Sequence, residues 1–231
     1  MKPLYKFKIM NHGNEDFDEK YFSMFFKKYD AYEFLFYCRW FAGWIKLLEQ
    51  FIPIKEGYGR QVLEVGCGIG AFAKHLRERG FEVTATDISH FIIKQAKKHQ
   101  KDINFRVDNI EKEFKINKKF DYIFALEVLE HLKNPKRALA NIRKVLINNG
   151  ILVFSTPIPT KKTLADPMHV NLHEPEYWLK LGKELGFKQI FYTHATFIPY
   201  FYRFHSFFSY GFPIRITLPF LNTTCFIFFK K

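Results

Sequence analysis

Cysteine is scarce in this 231-residue chain, and the three present, Cys38, Cys67 and Cys225, are odd in number and lack metal-ligand spacing. That excludes a disulfide framework and a cysteine zinc knuckle, and makes a reducing, cytoplasmic setting the simplest expectation. Internal repeats, low-complexity linkers and uncharged runs long enough to cross a bilayer as one helix are missing too. The first twenty residues, MKPLYKFKIMNHGNEDFDEK, have no long apolar core and no small-residue cleavage signal, so secretion is not expected. A chain of this length can bury one ordinary core with an elaboration, and one domain over residues 1–231 is expected.

Positive charge and aromatic surface are what the chain has in excess. A net charge of +13 suits polyanionic partners: nucleic acid, acidic lipid headgroups or phosphorylated substrates. Aromatic residues make up 19% of the chain and gather near its two ends. From Phe22 to Phe51 apolar residues recur at helical spacing, which predicts two helices broken near Asp30 within an N-terminal cap over 1–57. Near the other end, TFIPYFYRFHSFFSYGFPIRITLP is almost without acids and dense in Phe and Tyr, an aromatic insert over 196–221 ahead of a final strand at 222–231. Three roles stay open for it: an interfacial element on an anionic membrane surface, a wall around a hydrophobic acceptor, or a cap or homodimer interface.

Between these ends, over 58–195, short β-branched runs alternate with amphipathic stretches. Strands are predicted at 61–66, 82–87, 103–107, 120–125, 150–156, about 188–194 and about 223–229, and helices at about 70–80, 89–100, 135–147 and 174–186. This alternation implies an α/β fold, a doubly wound seven-stranded sheet, with the last strand antiparallel because no crossover helix precedes it. Ligands of such sheets sit beyond the carboxyl ends of the strands, so the residues just after each strand are the candidates.

After the first strand, LEVGCGIGAF places Gly66, Gly68 and Gly70 on alternate positions ahead of a helix. Glycines let the main chain touch a ligand, and the helix start offers N–H groups to a carboxylate or phosphate. The same letters also fit a dinucleotide fingerprint, which Glu64, two residues before the first glycine, disfavours. Asp87 ends the second strand, where an acid can accept both hydroxyls of a ribose or cap the following helix. Asp108 follows the third, placed to accept a hydrogen bond from an adenine amine. Past the fourth, Glu127, Glu130 and His131 stand at i, i+3 and i+4, so a helix there would gather two carboxylates and an imidazole. That mixed donor set suits Mg²⁺, Mn²⁺ or Zn²⁺, with His131 as a base or a packed residue being the alternative. His169 and His173 follow the fifth strand, each a candidate fourth ligand, general base or ordinary loop residue, while Asp166 and Trp178 are assigned to loop turning and helix packing.

VLEVGCGIGAFA, VTATDIS, VDNIE, FDYIFALEVLEHL and NNGILVFSTP occur in order at suitable intervals over roughly 58–195. In this the chain resembles the class I S-adenosylmethionine-dependent methyltransferases, especially the subgroup that includes ubiquinone-biosynthesis O-methyltransferases. The resemblance implies a Rossmann-like sheet and a cofactor layout: Gly66, Gly68 and Gly70 beside the methionine moiety, Asp87 on the ribose, and Asp108 with the Asn109 backbone at the adenine. Cys67, Ile88 and Leu126 belong to the same implied site, and Glu64 would fix the glycine loop or the cofactor amine. ALEV stands where nitrogen-directed relatives carry Asn/Asp-Pro-Pro-Tyr, so oxygen is the expected acceptor atom. The Glu-x-x-Glu-His pattern looks like the metal site of some ubiquinone-pathway O-methyltransferases and of small-RNA 3′-terminal 2′-O-methyltransferases. The expected function is methylation of a hydroxyl on a hydrophobic, lipid-linked or aromatic small molecule, with a metal-assisted 2′-O-methyltransferase of RNA 3′ ends and a non-catalytic cofactor-binding protein as alternatives.

Overall fold

The computed structural model describes residues 17, 19–112, 114, 116–197, 201–216 and 221–231; the rest of the expected cap and parts of the aromatic insert lie outside the described residues. Among the described residues eight strands form one sheet: β1 (Gln61–Val65), β2 (Glu82–Asp87), β3 (Asn104–Val107), β4 (Phe120–Leu126), β5 (Leu146–Pro157), β6 (Lys188–Phe197), β7 (Gly211–Phe212) and β8 (Asn222–Lys230). Their order is β3-β2-β1-β4-β5-β8-β6-β7, parallel from β3 through β5. The winding reverses between β1 and β4, which opens a crevice at the carboxyl ends of both.

β8 lies between β5 and β6 and runs antiparallel to each, as expected for a strand reached without a crossover helix. The eighth strand was not expected from the sequence. β7 is a two-residue piece of the aromatic insert that pairs with Thr196 and Phe197. Two residues give no alternation to read, and what permits the pairing is local: a Cβ on Gly211 would stand 2.4 Å from the Phe197 ring.

Both faces of the sheet are buried, so its strands read as apolar runs rather than alternating ones. Val62, Tyr122, Phe124, Val153 and Phe226 face α2 (Ala31–Leu48), α3 (Ala71–Glu78) and α4 (His90–His99). Leu63, Ile123, Leu152, Phe154 and Ile227 face α5 (Pro135–Val145) and α7 (Pro175–Glu184), where Trp178 is fully buried. Two single-turn helices, α1 (Glu19–Phe22) and α6 (Lys161–Leu164), lie at the carboxyl-edge loops.

Local chemistry sets the helix starts. Asp30 caps α2 by accepting the Glu33 N–H at 2.8 Å, while the Glu33 carboxylate accepts the N–H groups of Lys27, Lys28 and Tyr29. These contacts start α2 just after Asp30, but the first helix has already ended at Phe22, so turns over 23–30 stand where the aromatic spacing predicted the end of a longer helix. Asn134 caps α5 ahead of Pro135, which fills the first helical position, where no N–H is needed. Among the described residues no helix is long and apolar enough to cross a membrane.

Candidate functional site

A cavity of about 510 Å³ opens at the winding reversal, lined by the post-strand residues of β1, β2, β3 and β4. Its floor begins with the glycine loop. Gly66 (φ 71°) and Gly68 (φ 53°) adopt left-handed backbone, which side chains rarely tolerate. A Cβ at Gly66 would meet Val128 Cγ2 at 2.3 Å, whereas one at Gly68 would meet nothing nearer than Phe26 at 3.9 Å, across the cavity mouth. Cys67 lines the cavity as well, its N–H bonded to the Thr86 carbonyl at 3.0 Å. Gly70 does not line it. That residue precedes α3 at φ 81°, and a Cβ there would stand 2.6 Å from the Phe105 ring, so packing against β3 accounts for the glycine.

Glu64 is buried within β1 and accepts the Ala73 N–H, in the first turn of α3. It thereby supplies the cap that Gly70, with no side chain, cannot. Burial holds its carboxyl well above the usual range, and one oxygen, Oε2, has no hydrogen-bond partner. Asp87 ends β2 with Oδ2 accepting the Gly68 N–H at 3.1 Å and Oδ1 accepting the Ser89 N–H at 3.0 Å. It thus ties the glycine loop to the start of α4, whose cap is Ser89 rather than Asp87. Burial raises the Asp87 pKa to about 6, against the lowering effect of those backbone donors. Ile88 lines the cavity beside it, as do Asp108 and Asn109; Asp108 Oδ1 accepts the Asn109 N–H at 2.9 Å, fixing the turn after β3.

After β4 the backbone departs from the expected helix. Leu126 closes the strand, Glu127 turns at φ 54°, and only Leu129–His131 coil, as one 3₁₀ turn. The Glu127 carboxylate therefore points to β5 and β8, where Ser155 Oγ donates to Oε1 at 2.7 Å and Thr224 Oγ1 lies 2.9 Å away. The Glu127 N–H in turn donates to Ser155 Oγ at 2.9 Å. Burial raises the Glu127 pKa, and the two hydroxyls oppose that shift.

The cluster that forms in place of Glu127–Glu130–His131 is Glu130–His131–His169, with one ligand-capable atom from each lying within 4.8 Å of the others. Glu130 is fully buried, and neither carboxylate oxygen has a hydrogen-bond partner. Desolvation, with Glu127 nearby, pushes its carboxyl well above the usual range. His131 Nδ1 donates to the Met168 carbonyl at 3.0 Å and His169 Nδ1 to the Thr163 carbonyl at 2.9 Å, which assigns the lone pair of each ring to Nε2. The two rings are 5.1 Å apart. Asp166 turns the loop, as its Oδ1 accepts the Met168 N–H at 2.9 Å, but it also lines the cavity, with Oδ2 3.9 Å from His169 Nε2. His173 lies off the cavity, stacked on Tyr177 at 3.7 Å.

The remaining wall is aromatic and comes from the N-terminal helices. Tyr21, Phe26, Tyr37, Trp40 and Phe41 line it, and Phe17 places its ring 6.2 Å from that of His131. Tyr37 donates to the Phe25 carbonyl at 2.8 Å, which pins the segment after α1 onto α2. Among the described residues the aromatic insert contributes nothing to this lining. The helical spacing of aromatics in 22–51 was the available signal for the wall; Phe17 and Tyr21, at the edge of that pattern, had none.

A family model described as a methyltransferase domain matches residues 34–200. The chain is similar to the ubiquinone biosynthesis O-methyltransferase of Coxiella burnetii, 38% identical over 116 residues, 48% of this chain and 48% of that protein. The match thus spans about half the length of that curated relative. Among solved structures, an S-adenosylmethionine-dependent methyltransferase from Thermotoga maritima gives a TM-score of 0.64 at 16% identity, covering 91% of this chain and 98% of that one. Phosphoethanolamine N-methyltransferase 2 of Haemonchus contortus, in complex with S-adenosyl-L-methionine, gives 0.62 at 18% identity, covering 92% of this chain and 59% of that one. Both share the fold.

Proposed function

Starting from a chain that belongs to the methyltransferase-domain family, we propose that it moves a methyl group from S-adenosyl-L-methionine to a hydroxyl oxygen on a hydrophobic, lipid-linked or aromatic acceptor. The observation that carries this reading is the two-sided cavity, with a buried carboxylate and two imidazoles on one wall and the N-terminal aromatics on another. An acceptor suited to both has a hydroxyl head on an apolar body.

In this reading Asp87 accepts the ribose hydroxyls, Asp108 and the Asn109 backbone meet the adenine, and Gly68 gives the space in which the methionine moiety passes. Cys67, Ile88 and Leu126 flank it, and Glu64 keeps the loop in shape by capping α3. When bound, the cofactor supplies an electrophilic methyl carbon, so that an O–C bond forms as the C–S bond breaks and the bonding pair stays on sulfur. The chain's own task is to align the acceptor oxygen and remove one proton. His131 or His169 takes that proton at Nε2, the nitrogen that the backbone carbonyls leave with the lone pair. Glu127 is a positioning group, held by Ser155 and Thr224.

Glu130, His131 and His169 also fit a divalent cation such as Mg²⁺, Mn²⁺ or Zn²⁺, because a buried carboxylate without a hydrogen-bond donor is a poor structural element and a good ligand. With a cation held there, both Nε2 lone pairs would be taken up as ligands, and the chemistry supplied in place of a histidine base would be a lowered pKa for the acceptor hydroxyl. The three unpaired, buried cysteines fit a reducing, cytoplasmic setting.

The test is methyl transfer from labelled cofactor to a panel of apolar phenols and catechols, to amines and to short RNA, with and without chelator. Label on the phenolic oxygens is expected. Label on amines or RNA alone would overturn the acceptor class, and cofactor binding without transfer to any acceptor would favour a non-catalytic protein.

A further inference from the structure

A second surface is built along one stripe of α2, at Phe36, Arg39, Gly43 and Lys46, a spacing of three to four residues. Residues 202–209, between β6 and β8, lie down on that stripe. Tyr202 packs on Phe36 and Trp40 with ring separations of 5.2 Å and 4.8 Å. Three polar contacts, two to the segment's backbone and one from a serine side chain, then hold it from beneath. Arg39 donates to the Arg203 carbonyl at 2.9 Å, Lys46 to the Ser206 carbonyl at 3.0 Å, and Ser209 Oγ to the Trp40 carbonyl at 3.0 Å. A Cβ on Gly43 would come within 2.5 Å of Ser209 Oγ, so the glycine is what lets the segment approach.

Most of the large side chains left facing outward are apolar, with Arg203, His205 and Arg215 exposed among them. Phe204 is 77% exposed and Phe207 60%, with Phe208, Phe212 and Ile214 close to half exposed. This inverts an ordinary surface loop, since polar groups hold the backbone while large hydrophobics are presented to the surroundings. The charge within the segment has one sign. Residues 198–221 carry Arg203 and Arg215 and no acid, and Arg39 and Lys46 add to them from α2. Aromatics interleaved with cations in one acid-free segment complement a bilayer with anionic headgroups.

We propose that this face docks on anionic lipid bilayers, with Phe204, Phe207 and Phe208 entering at the headgroup–acyl boundary and the neighbouring Arg and Lys side chains meeting lipid phosphates. The face is separate from the Glu130–His131–His169 cluster, so the proposal stands whether or not the methyl-transfer reading does. It also lies one helix away from the acceptor chamber, since Tyr37 and Phe41 on neighbouring positions of α2 line the cavity.

Flotation of the full chain with phosphatidylcholine vesicles, with and without phosphatidylglycerol, tests it. Binding to the anionic vesicles is expected, weakened by added salt, and reduced about tenfold or more in Phe204→Ser/Phe207→Ser/Phe208→Ser at unchanged cofactor affinity. Phe204→Ser alone, at the most exposed of these sites, gives the same direction should the triple variant misfold. Absence of flotation, or flotation indifferent to these substitutions, overturns the proposal. So does light scattering that finds a lipid-free dimer split by Phe204→Ser, which would make the face a contact between copies.

Discussion

Lowering the pH from 7 to 5 should weaken cofactor binding about tenfold, through Asp87 alone. A carboxylate must be ionised to accept two ribose hydroxyls, and burial at the end of β2 has raised this one to about 6 from 3.8. At pH 7 about ten molecules in eleven hold it ionised, and at pH 5 about one in eleven, so the apparent dissociation constant rises by that ratio. An aspartate at 3.8 would still be mostly ionised at pH 5 and would show almost no change. The ligand-free protein should show the opposite trend. An acid whose folded pKa is raised binds its proton more tightly in the fold than in the unfolded chain. Its contribution to stability therefore grows as the pH falls from above 6 towards 3.8, to a limit of about 3 kcal/mol. Calorimetry in buffers of different ionisation enthalpy reads the linked proton directly: binding at pH 6 should release about half a proton. Asp87→Asn should lose affinity and flatten the pH profile. Constant affinity from pH 7 to 5 with no proton release would refute the ribose assignment.

The glycine loop separates two effects of the same substitution. Gly66→Ala should cost about 1–3 kcal/mol in denaturant melts, because strain at φ 71° adds to the collision with Val128. Gly68→Ala should cost about 1 kcal/mol and act chiefly on cofactor affinity, since its Cβ meets empty cavity. Glu130→Gln should abolish any chelator-sensitive part of turnover while leaving the metal-free protein as stable as before at pH 8, because it replaces a buried carboxylate without hydrogen-bond partners by a neutral group. A marked drop in melting temperature would assign Glu130 a structural role. Thr224→Val should slow methyl transfer with little change in cofactor affinity if Glu127 is a positioning group, and an unaltered rate would remove it from that role.

Most of the frame was legible in the sequence because strand and helix periodicities differ and the sheet is buried on both faces. Asp87 was legible for the same reason: the end of a strand locates a side chain at the carboxyl edge without further information. Glu127 was not. Its expected place with Glu130 and His131 assumed helical geometry, and the backbone instead turns left-handed where Ser155 catches its N–H and carboxylate. That is a tertiary contact with no local sequence signal. Choosing between His169 and His173 likewise needed the loop after β5, which anchors one ring on the Thr163 carbonyl and stacks the other on Tyr177. Gly70 shows the limit of motif reading, because a glycine demanded by the Phe105 ring looks the same as one demanded by a ligand.

Thr224 sits on β8, the last strand in sequence order, which slots between two strands made earlier and reaches Glu127 near the middle of the chain. A nascent polypeptide emerging from the ribosome can therefore build β1 to β4 and the pocket floor well before it can complete the wall beside Glu127. Until β8 slides into its gap, β5 and β6 each keep an open edge, so truncation just upstream of Asn222 should yield a sticky, incompletely assembled species rather than a smaller working enzyme.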